Sequence, residues 1–282
     1  MRDVGCLYML TNDKHANVLA VSIWSLCKSG WKAGIHIACG DDKAERIAKF
    51  CADDARLDVT WHRWQHPTGK RGTAYYAKTM MNELSPFNRT VFLDADTLIV
   101  RDISALLPTA EHPVVLTSFA EWVSTGKKIS KRIRPWEGVC PTEVAEQLSR
   151  PFPALNTGVL SFSRSEAAQA FFADWQATTA KRIAFICDEI GAQLCFTRHP
   201  VKVLDDRYNC SPVHSRHERP VIYHGHGFKF IKKEQGRKLW MPWYDRAVAE
   251  NVASIKEWTP AGDRHLKSYL QSRQVDDAVS CR

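Results

Sequence analysis

The chain has 282 residues, 44% of them apolar, and a formal net charge of +8. These values are typical of a globular protein with one large α/β domain or two small ones, and the charge suggests an acidic partner. The longest apolar segment, residues 18–26, is too short for a membrane span, which needs about 20 residues. No signal peptide is predicted, and nine cysteines without a C-x-x-C pair argue against a zinc ribbon. We therefore expect a cytoplasmic protein with free, mostly buried thiols.

The first part of the chain is predicted to form a βαβαβ unit. Strand-like runs alternate with helical patterns, with strands at 4–10, 35–39 and 57–64 and helices at 16–27 and 42–51. Thr11, Asn12 and Asp13 follow the first strand, where parallel sheets bind ligands. They are also good caps for the next helix, and both interpretations stay open. No G-x-G-x-x-G and no P-loop pattern is present, which argues against a dinucleotide fold and a P-loop enzyme.

A basic loop at residues 66–72 leads into a predicted helix at 75–84 that carries Lys78. A single lysine on a helix is usually solvated. This helix, however, leads into the strand that carries the acidic pair Asp94 and Asp96, so Lys78 is also a candidate contact for a phosphate.

Asp94 and Asp96 interrupt an apolar run that extends from Val91 to Val100. Such runs are typical of buried strands, in which side chains two residues apart lie on the same side. Two adjacent carboxylates repel each other, and a divalent cation relieves that repulsion. Oxygen ligands suit Mg²⁺ or Mn²⁺. The alternative is a turn at the strand end in which an aspartate caps a helix beginning near Asp102.

Residues 125–136 combine five Lys or Arg residues with Trp136 and show no helical or strand period. This pattern predicts either a solvated loop or a contact surface for an anionic ligand, with Trp136 available for stacking.

The second half of the chain contains further candidate site residues. A predicted strand at 154–162 begins with Asn156 and Gly158, and a helix is predicted at 166–180. A second helix is predicted to start at Cys187, so Asp188 is either a cap or a site residue.

Residues 221–229 are predicted as the last strand, which runs into a glycine-rich turn with His224, His226 and Lys229. A single histidine there would more often be structural. Combined with glycines and a lysine, it suits an imidazole on a metal ion and backbone amides on a phosphate.

Four segments, in this order, resemble the GT-A-fold glycosyltransferases of family 8, the group of glycogenin and the bacterial lipopolysaccharide galactosyltransferases. They are Leu10-Thr11-Asn12-Asp13, Phe92-Leu93-Asp94-Ala95-Asp96, Leu155-Asn156-Thr157-Gly158-Val159, and Tyr223-His224 with Gly227 and Lys229. The resemblance implies a metal-dependent glycosyltransferase that uses a UDP-sugar with Mn²⁺ or Mg²⁺ and retains the anomeric configuration.

The resemblance also implies roles for individual residues. The implied metal ligands are Asp94, Asp96 and His224. The implied donor-binding residues are Thr11, Asn12, Asp13, Lys78, Asp94, Ala95, Gly227 and Lys229. The implied catalytic candidates, which would line the donor sugar, are Asn156, Asp188 and Glu189. This chain departs from the family's usual H-x-x-G-x-x-K spacing, because Lys229 comes one residue early and His226 offers a competing ligand.

The expected fold is α/β: a Rossmann-like, mixed and mainly parallel sheet flanked by helices. We expect a GT-A domain at residues 1–235, with a nucleotide-sugar half at about 1–100 and an acceptor half at about 101–235. A basic helical C-terminal extension is expected at 236–282.

The acceptor is expected to be anionic because of the net positive charge. A modified nucleic acid base and a lipopolysaccharide or other glycan remain alternatives, the latter with peripheral membrane contact by the basic, Trp-rich C-terminal region. Two other functions are considered, a nucleotidyltransferase and a non-catalytic nucleotide-sugar-binding protein.

Overall fold

The computed structural model describes residues 2–11, 15–54, 57–64, 73–119, 131–149, 152–213, 217–226 and 229–250, together with the single residues 252, 255, 267 and 271. The basic loop at 66–72 and most of the predicted C-terminal extension lie outside the described residues.

Nine strands are present in the described part of the chain. They are β1 (Arg2–Leu10), β2 (Gly34–Cys39), β3 (Val59–Arg63), β4 (Phe87–Leu93), β5 (Thr97–Ile99), β6 (Val114–Ser118), β7 (Leu155–Ser163), β8 (Val201–Leu204) and β9 (Ile222–His224).

The α-helices with defined bounds surround these strands. They are α1 (Ala16–Lys28), α2 (Asp42–Ala52), α3 (Thr73–Ala77), α4 (Met81–Leu84), α5 (Pro141–Leu148), α6 (Glu166–Ala180), α7 (Cys187–Cys195), α8 (Lys229–Lys232) and α9 (Glu234–Ala249). The helix predicted at 75–84 is divided, because a 3₁₀ turn at Lys78–Met80 separates α3 from α4.

Seven of the described strands form one mixed sheet with the order β3-β2-β1-β4-β7-β6-β8. The first four strands are parallel, as the predicted βαβαβ unit requires. β7 runs antiparallel to both neighbours, and β6 and β8 are parallel. The predicted mixed, mainly parallel sheet flanked by helices is confirmed.

Alternating side chains of the central strands enter two cores, one on each face of the sheet. Cys6 and Tyr8 of β1 pack with α1 and α2 on one face, whereas Leu7 packs with Phe171 and Trp175 of α6 on the other. Because both faces are covered, β1 and β4 are nearly continuous apolar runs, as expected for buried strands.

The acidic pair lies between two strands and not within one. β4 ends at Leu93, a turn follows, and β5 begins at Thr97. β5 pairs antiparallel with β9 in a separate two-stranded sheet, with Thr97 opposite His224. The predicted last strand therefore exists, but it joins this small sheet.

The C-terminal helix α9 packs against α1. Trp240 is fully buried and shares an apolar cluster with Val18, Trp24 and Leu98. Trp175 and Trp240 are thus core residues, which accounts for part of the high Trp content by packing. The predicted division of the chain at residue 235 stays a prediction.

No helix in the described residues has the length and apolarity needed to cross a membrane. The eight described cysteines are all free thiols, and all except Cys27 are buried. The burial of these thiols agrees with the expectation of mostly buried cysteines.

Candidate active site at the carboxyl end of the central strands

A large cavity opens where β1 and β4 end. Its volume is about 1030 Å³, and its wall includes Thr11 after β1, the turn after β4, and the first turn of α7. This is the edge at which open α/β sheets bind ligands.

Asp94, Asp96 and His224 meet at one side of this cavity. Each residue has one possible ligand atom that lies within 4.8 Å of those of the other two. These three residues are the one group of possible metal ligands found among the described residues. The pairing of β5 with β9 brings His224 to the aspartates. The backbone amide of Gly225 donates to the Asp96 carbonyl at 2.6 Å, and this hydrogen bond also holds His224 close to the aspartates.

Two carboxylates and one imidazole are a suitable donor set for Mn²⁺ or Mg²⁺. His224 Nε2 lies 3.1 Å from Asp96 Oδ1 and 3.4 Å from Asp94 Oδ2. His226 does not belong to this group of described ligand atoms, so geometry favours His224 over His226 as the third ligand. The residues present therefore fit a divalent cation.

A hydrogen-bond network fixes which nitrogen of His224 faces the aspartates. The backbone N–H of Gly158 can only donate, so the atom 2.9 Å away on Asn156 is its carbonyl Oδ1. Asn209 Nδ2 also donates to this oxygen, at 2.9 Å. Asn209 Oδ1 therefore faces His224 Nδ1, at 2.9 Å, and must accept its proton. When His224 is neutral, its Nε2 carries the lone pair towards Asp94 and Asp96, as a metal ligand requires.

Replacing Asn209 with leucine is expected to weaken metal binding about 10- to 100-fold, the usual effect of removing the partner that orients a ligating histidine. Leucine has a similar size but cannot accept the Nδ1 proton. Titration calorimetry with Mn²⁺ measures the effect, and an Mn²⁺ affinity equal to that of the wild type would contradict the proposed tautomer. Asn82→Leu, at a half-buried position on α4 outside the cavity wall, is the control.

The charge on His224 predicts the pH dependence of metal binding. Burial lowers the pKa of His224, but the carboxylates of Asp96 and Asp94 outweigh burial and raise it to about 9 from 6.5. Below that pKa, a metal ion must displace one proton. We therefore expect the apparent Mn²⁺ affinity to rise about tenfold per pH unit between about pH 6 and about pH 8.5.

The metal-free protein is expected to show the opposite trend. A pKa that is raised in the folded state contributes stability that is fully present below the unfolded value of 6.5 and is lost as the pH rises through about 9. Thermal melts in EDTA at several pH values, beside Mn²⁺ titrations at the same values, measure both trends. If Mn²⁺ affinity and metal-free stability changed with pH in the same direction, the assignment of this titration to His224 would be contradicted.

Lys78 extends from the turn between α3 and α4 into the cavity. Its Nζ lies 2.7 Å from Asp94 Oδ2 and 3.7 Å from Asp188 Oδ2. Burial lowers the pKa of Lys78, but these two carboxylates outweigh burial and raise it above its ordinary value. Lys78 is thus a cation fixed beside the acidic group and facing the cavity, and its contact with a phosphate stays a prediction.

Asp188 and Glu189, in the first turn of α7, differ in their environments. Asp188 is 1% exposed and accepts from Thr157 Oγ1 at 2.6 Å. Burial raises its pKa against the opposing effect of Lys78. The side chain of Glu189 is 13% exposed and is held by Asn156 Nδ2, at 2.6 Å, and by an ion pair with Arg132. Glu189 is therefore the acid with more access to the cavity. Asp188 is not the helix cap, because Ile186 occupies that position.

Gly158 is required by the close packing around His224. A Cβ at this position would lie 2.1 Å from His224 Cε1 and 2.7 Å from Asp94 Oδ2. Its carbonyl accepts from the Asp94 backbone amide at 2.7 Å. Strand β7 and the turn that carries Asp94 and Asp96 thus touch at a position that tolerates no side chain.

The other predicted site residues are distributed unevenly. Thr11 and Ala95 line the cavity, whereas Lys229 begins α8 and is not among the described residues in the cavity wall. Asn12, Asp13 and Gly227 lie outside the described residues.

The basic segment at 125–136 is described from Lys131 onward. Arg132 forms the ion pair with Glu189, so this segment reaches the site. Trp136, for which stacking on a ligand was one of two alternatives, is only 3% exposed. Sequence reasoning missed Asn209 and also Phe185, which lines the cavity, because a single Asn or Phe carries no spacing signal.

Comparisons with known proteins were made for sequence and for structure. No protein-family model and no curated protein sequence matches the chain. Solved structures of glycosyltransferases do match. The galactosyltransferase LgtC, in complex with donor and acceptor sugar analogues, is similar with a TM-score of 0.60 and 14% identity over 86% of this chain and 95% of LgtC.

Two further glycosyltransferases have comparable similarity. The bifunctional WbbM has a TM-score of 0.58 and 16% identity over 89% of this chain and 50% of its own. GlyE of Streptococcus pneumoniae has a TM-score of 0.58 and 12% identity over 89% of this chain and 64% of its own. At these identities, the matches show a common fold. The chain therefore has the GT-A fold of these glycosyltransferases, as the sequence motifs predict.

Proposed function

We propose that the protein is a glycosyltransferase that uses a nucleotide-sugar donor, a UDP-sugar, with Mn²⁺ or Mg²⁺, and retains the anomeric configuration. The observation that carries this proposal is the convergence of Asp94, Asp96 and His224 in the wall of a large cavity. The fold shared with LgtC, WbbM and GlyE supports sugar transfer as the reaction.

The proposed chemistry begins at the diphosphate of the donor. Breaking the anomeric C–O bond leaves negative charge on the departing nucleoside diphosphate. A divalent ion held by Asp94, Asp96 and His224 would supply positive charge to both phosphates. Lys78, whose Nζ lies beside Asp94, is placed to donate to the same phosphates without a large rearrangement.

Glu189 is the acid that we propose faces the donor sugar. Asn156 and Arg132 hold its carboxylate in a fixed orientation, and part of it remains open to the cavity. A carboxylate there can stabilise positive charge at the anomeric carbon or act as a nucleophile on it. Asp188, which is buried against Thr157 and Lys78, is proposed to position Lys78.

The nucleotide base and ribose are proposed to lie near the end of β1. Thr11 lines the cavity there. Asn12, Asp13, Gly227 and Lys229 remain proposed donor contacts by resemblance to the family.

An anionic acceptor is proposed, either a modified nucleic acid base or a glycan. The net charge of +8 supports this class of acceptor. The free thiols of the described cysteines support a reducing compartment such as the cytoplasm.

The test is a thermal-shift panel with UDP, GDP, CMP and several UDP-sugars, each with Mn²⁺, Mg²⁺ or EDTA. A ligand present at about 100 times its Kd should raise the Tm by about 5 to 10 °C in a protein of this size. UDP is expected to act only with metal. If no nucleotide shifts the Tm with either metal, the aspartates are structural and the proposal fails.

Product analysis separates the alternatives. Release of UDP from a UDP-sugar supports glycosyl transfer, whereas release of pyrophosphate from a nucleoside triphosphate would indicate a nucleotidyltransferase. Metal-dependent UDP binding without donor hydrolysis or transfer would indicate a non-catalytic binding protein.

A further inference from the structure

The charged side chains of the cavity wall are unevenly paired. Among the described residues, the cavity's four acids each have a polar partner: Lys78 for Asp94, His224 for Asp96, Thr157 for Asp188 and Arg132 for Glu189. The cavity wall also contains Lys131 and Arg182, both exposed, and neither forms an ion pair with a described residue. Lys131 and Arg182 are therefore the cations of the cavity wall that have no ion-pair partner among the described residues, and both are open to solvent.

An exposed aromatic ring lies on the same wall. Phe185 is 75% exposed, the highest value among the large apolar side chains described. Its ring meets Tyr75 edge to face, with the centroids 5.4 Å apart. This contact fixes the ring while most of its surface stays free, and such a ring can stack on a sugar or a base.

The loop that carries Arg182 and Phe185 leads into the first turn of α7, which carries Glu189. Ile186, between Phe185 and α7, has a left-handed φ of 55°. A β-branched residue rarely adopts this conformation, and such strain is concentrated at functional sites. The loop therefore passes directly from an exposed stacking surface to the acid that we propose faces the donor sugar.

The size of the cavity leaves room for two substrates. Its volume of about 1030 Å³ is at the upper limit of the roughly 300–1,000 Å³ that single small-ligand sites occupy. The acidic group and Lys78 account for a nucleotide diphosphate at one side. Lys131, Arg182 and Phe185, which we call the cationic rim, are not among the residues to which we assign donor binding.

We propose that the cationic rim is the acceptor subsite and that it binds a phosphorylated sugar, with the ring on Phe185 and the phosphate on Arg182 and Lys131. This inference rests on the proposed glycosyltransferase function and specifies its second substrate. A phosphorylated sugar could belong to a glycan or to a single-stranded nucleic acid, and the experiment separates these two sources.

The test measures binding to the complex of the protein with UDP and Mn²⁺. The probes are glucose, glucose 6-phosphate and a single-stranded oligonucleotide of about 12 nucleotides. Glucose 6-phosphate should bind at least about tenfold more tightly than glucose. Phe185→Ala and Arg182→Gln should each weaken binding of the phosphorylated probes about tenfold. UDP binding to the same variants checks that the donor side is intact.

Two control variants separate the cavity from the surface around it. Ile183→Ala changes an apolar side chain that is 44% exposed in the same loop but is not in the cavity wall. Lys202→Gln removes an exposed cation from β8, also outside the cavity wall. Neither should affect binding of the phosphorylated probes.

The outcomes are distinct. Displacement of glucose 6-phosphate by the oligonucleotide at a lower concentration identifies nucleic acid as the source, and the reverse order identifies a glycan. Three results would overturn the inference: equal binding of glucose and glucose 6-phosphate, no binding of either phosphorylated probe, or an equal effect of Ile183→Ala and Phe185→Ala on binding of the phosphorylated probes. Absence of metal-dependent UDP binding by the wild type would instead refute the proposed function.

Discussion

Replacing Asp96 with asparagine is expected to abolish metal-dependent nucleotide binding. Asparagine keeps the size of the side chain but removes the negative charge that faces His224 Nε2 at 3.1 Å. In the wild type, burial raises the pKa of Asp96, but the charge and hydrogen bond of His224 outweigh burial and hold that pKa well below its ordinary value. Asp96 is therefore ionised at neutral pH and ready to bind a cation. Removing a residue that only orients a metal ligand already lowers metal affinity about 10- to 100-fold. We therefore expect loss of the ligand itself to weaken Mn²⁺ binding by more than about 100-fold.

The measurement is titration calorimetry with Mn²⁺ in the presence of UDP, beside the thermal shift by UDP with metal. Asp102→Asn is a matched control, because Asp102 is exposed, follows β5 closely in the chain, and only caps Ser104, which asparagine can also do. An Asp96→Asn protein that binds Mn²⁺ and UDP as the wild type does would show that these aspartates are structural.

Gly158→Ala is expected to remove activity and lower stability through a single methyl group. The added Cβ would lie 2.1 Å from His224 Cε1, so either His224 or β7 must move. Overpacking of a buried site typically costs about 1–3 kcal/mol, which corresponds to a fall in Tm of about 2–10 °C for a protein of this size. A displaced His224 no longer faces Asp94 and Asp96, so metal binding should fall together with stability.

Gly138→Ala is the control for this substitution. Gly138 lies in an exposed turn, and a Cβ there would meet no atom within 4 Å. We expect a Tm within about 1 °C of the wild type and unchanged Mn²⁺ affinity. If Gly158→Ala retains Mn²⁺ binding, His224 is not required in the position described.

The fold could be predicted wherever the chain has a regular period. Helix α6 was predicted with its observed bounds, Glu166–Ala180, and the structure shows that Ser165 caps it by accepting from the Ala168 amide. The parallel strands β1 to β3 were predicted from apolar runs separated by helices. Strand β8, at the sheet edge, was missed because it is short and only partly buried.

The pairing of strands that are distant in the chain could not be predicted from the sequence. The run from Val91 to Val100 looks like one strand, because both its parts are apolar. In the structure, Asp94 to Asp96 form a turn, and the second part leaves the main sheet to pair with β9. An apolar pattern reports burial but not the partner strand, so the small sheet that assembles the site was not predictable.

Some residues of the candidate site were also predictable from the sequence, and others were not. Asp94, Asp96 and His224 were predicted as metal ligands, and the structure brings them together. Asn209 could not be found from sequence, because its role comes from three hydrogen bonds to residues far from it in the chain. Phe185 was overlooked in favour of Trp136, since exposure of one aromatic ring depends on the packing of its loop.

The pairing of β5 with β9 also determines when the site can appear during synthesis. Thr97 and His224 are neighbours in space, but a ribosome must extend the chain from one to the other before they can meet. A nascent chain that ends before Ile222 can form most of the large sheet. It carries Asp94 and Asp96 but lacks His224. Closing so long a loop is entropically costly, and the contacts that repay it come late. Under the proposed function, newly made protein should therefore bind a metal ion only after the last strand has docked, so incomplete chains should not bind the proposed donor.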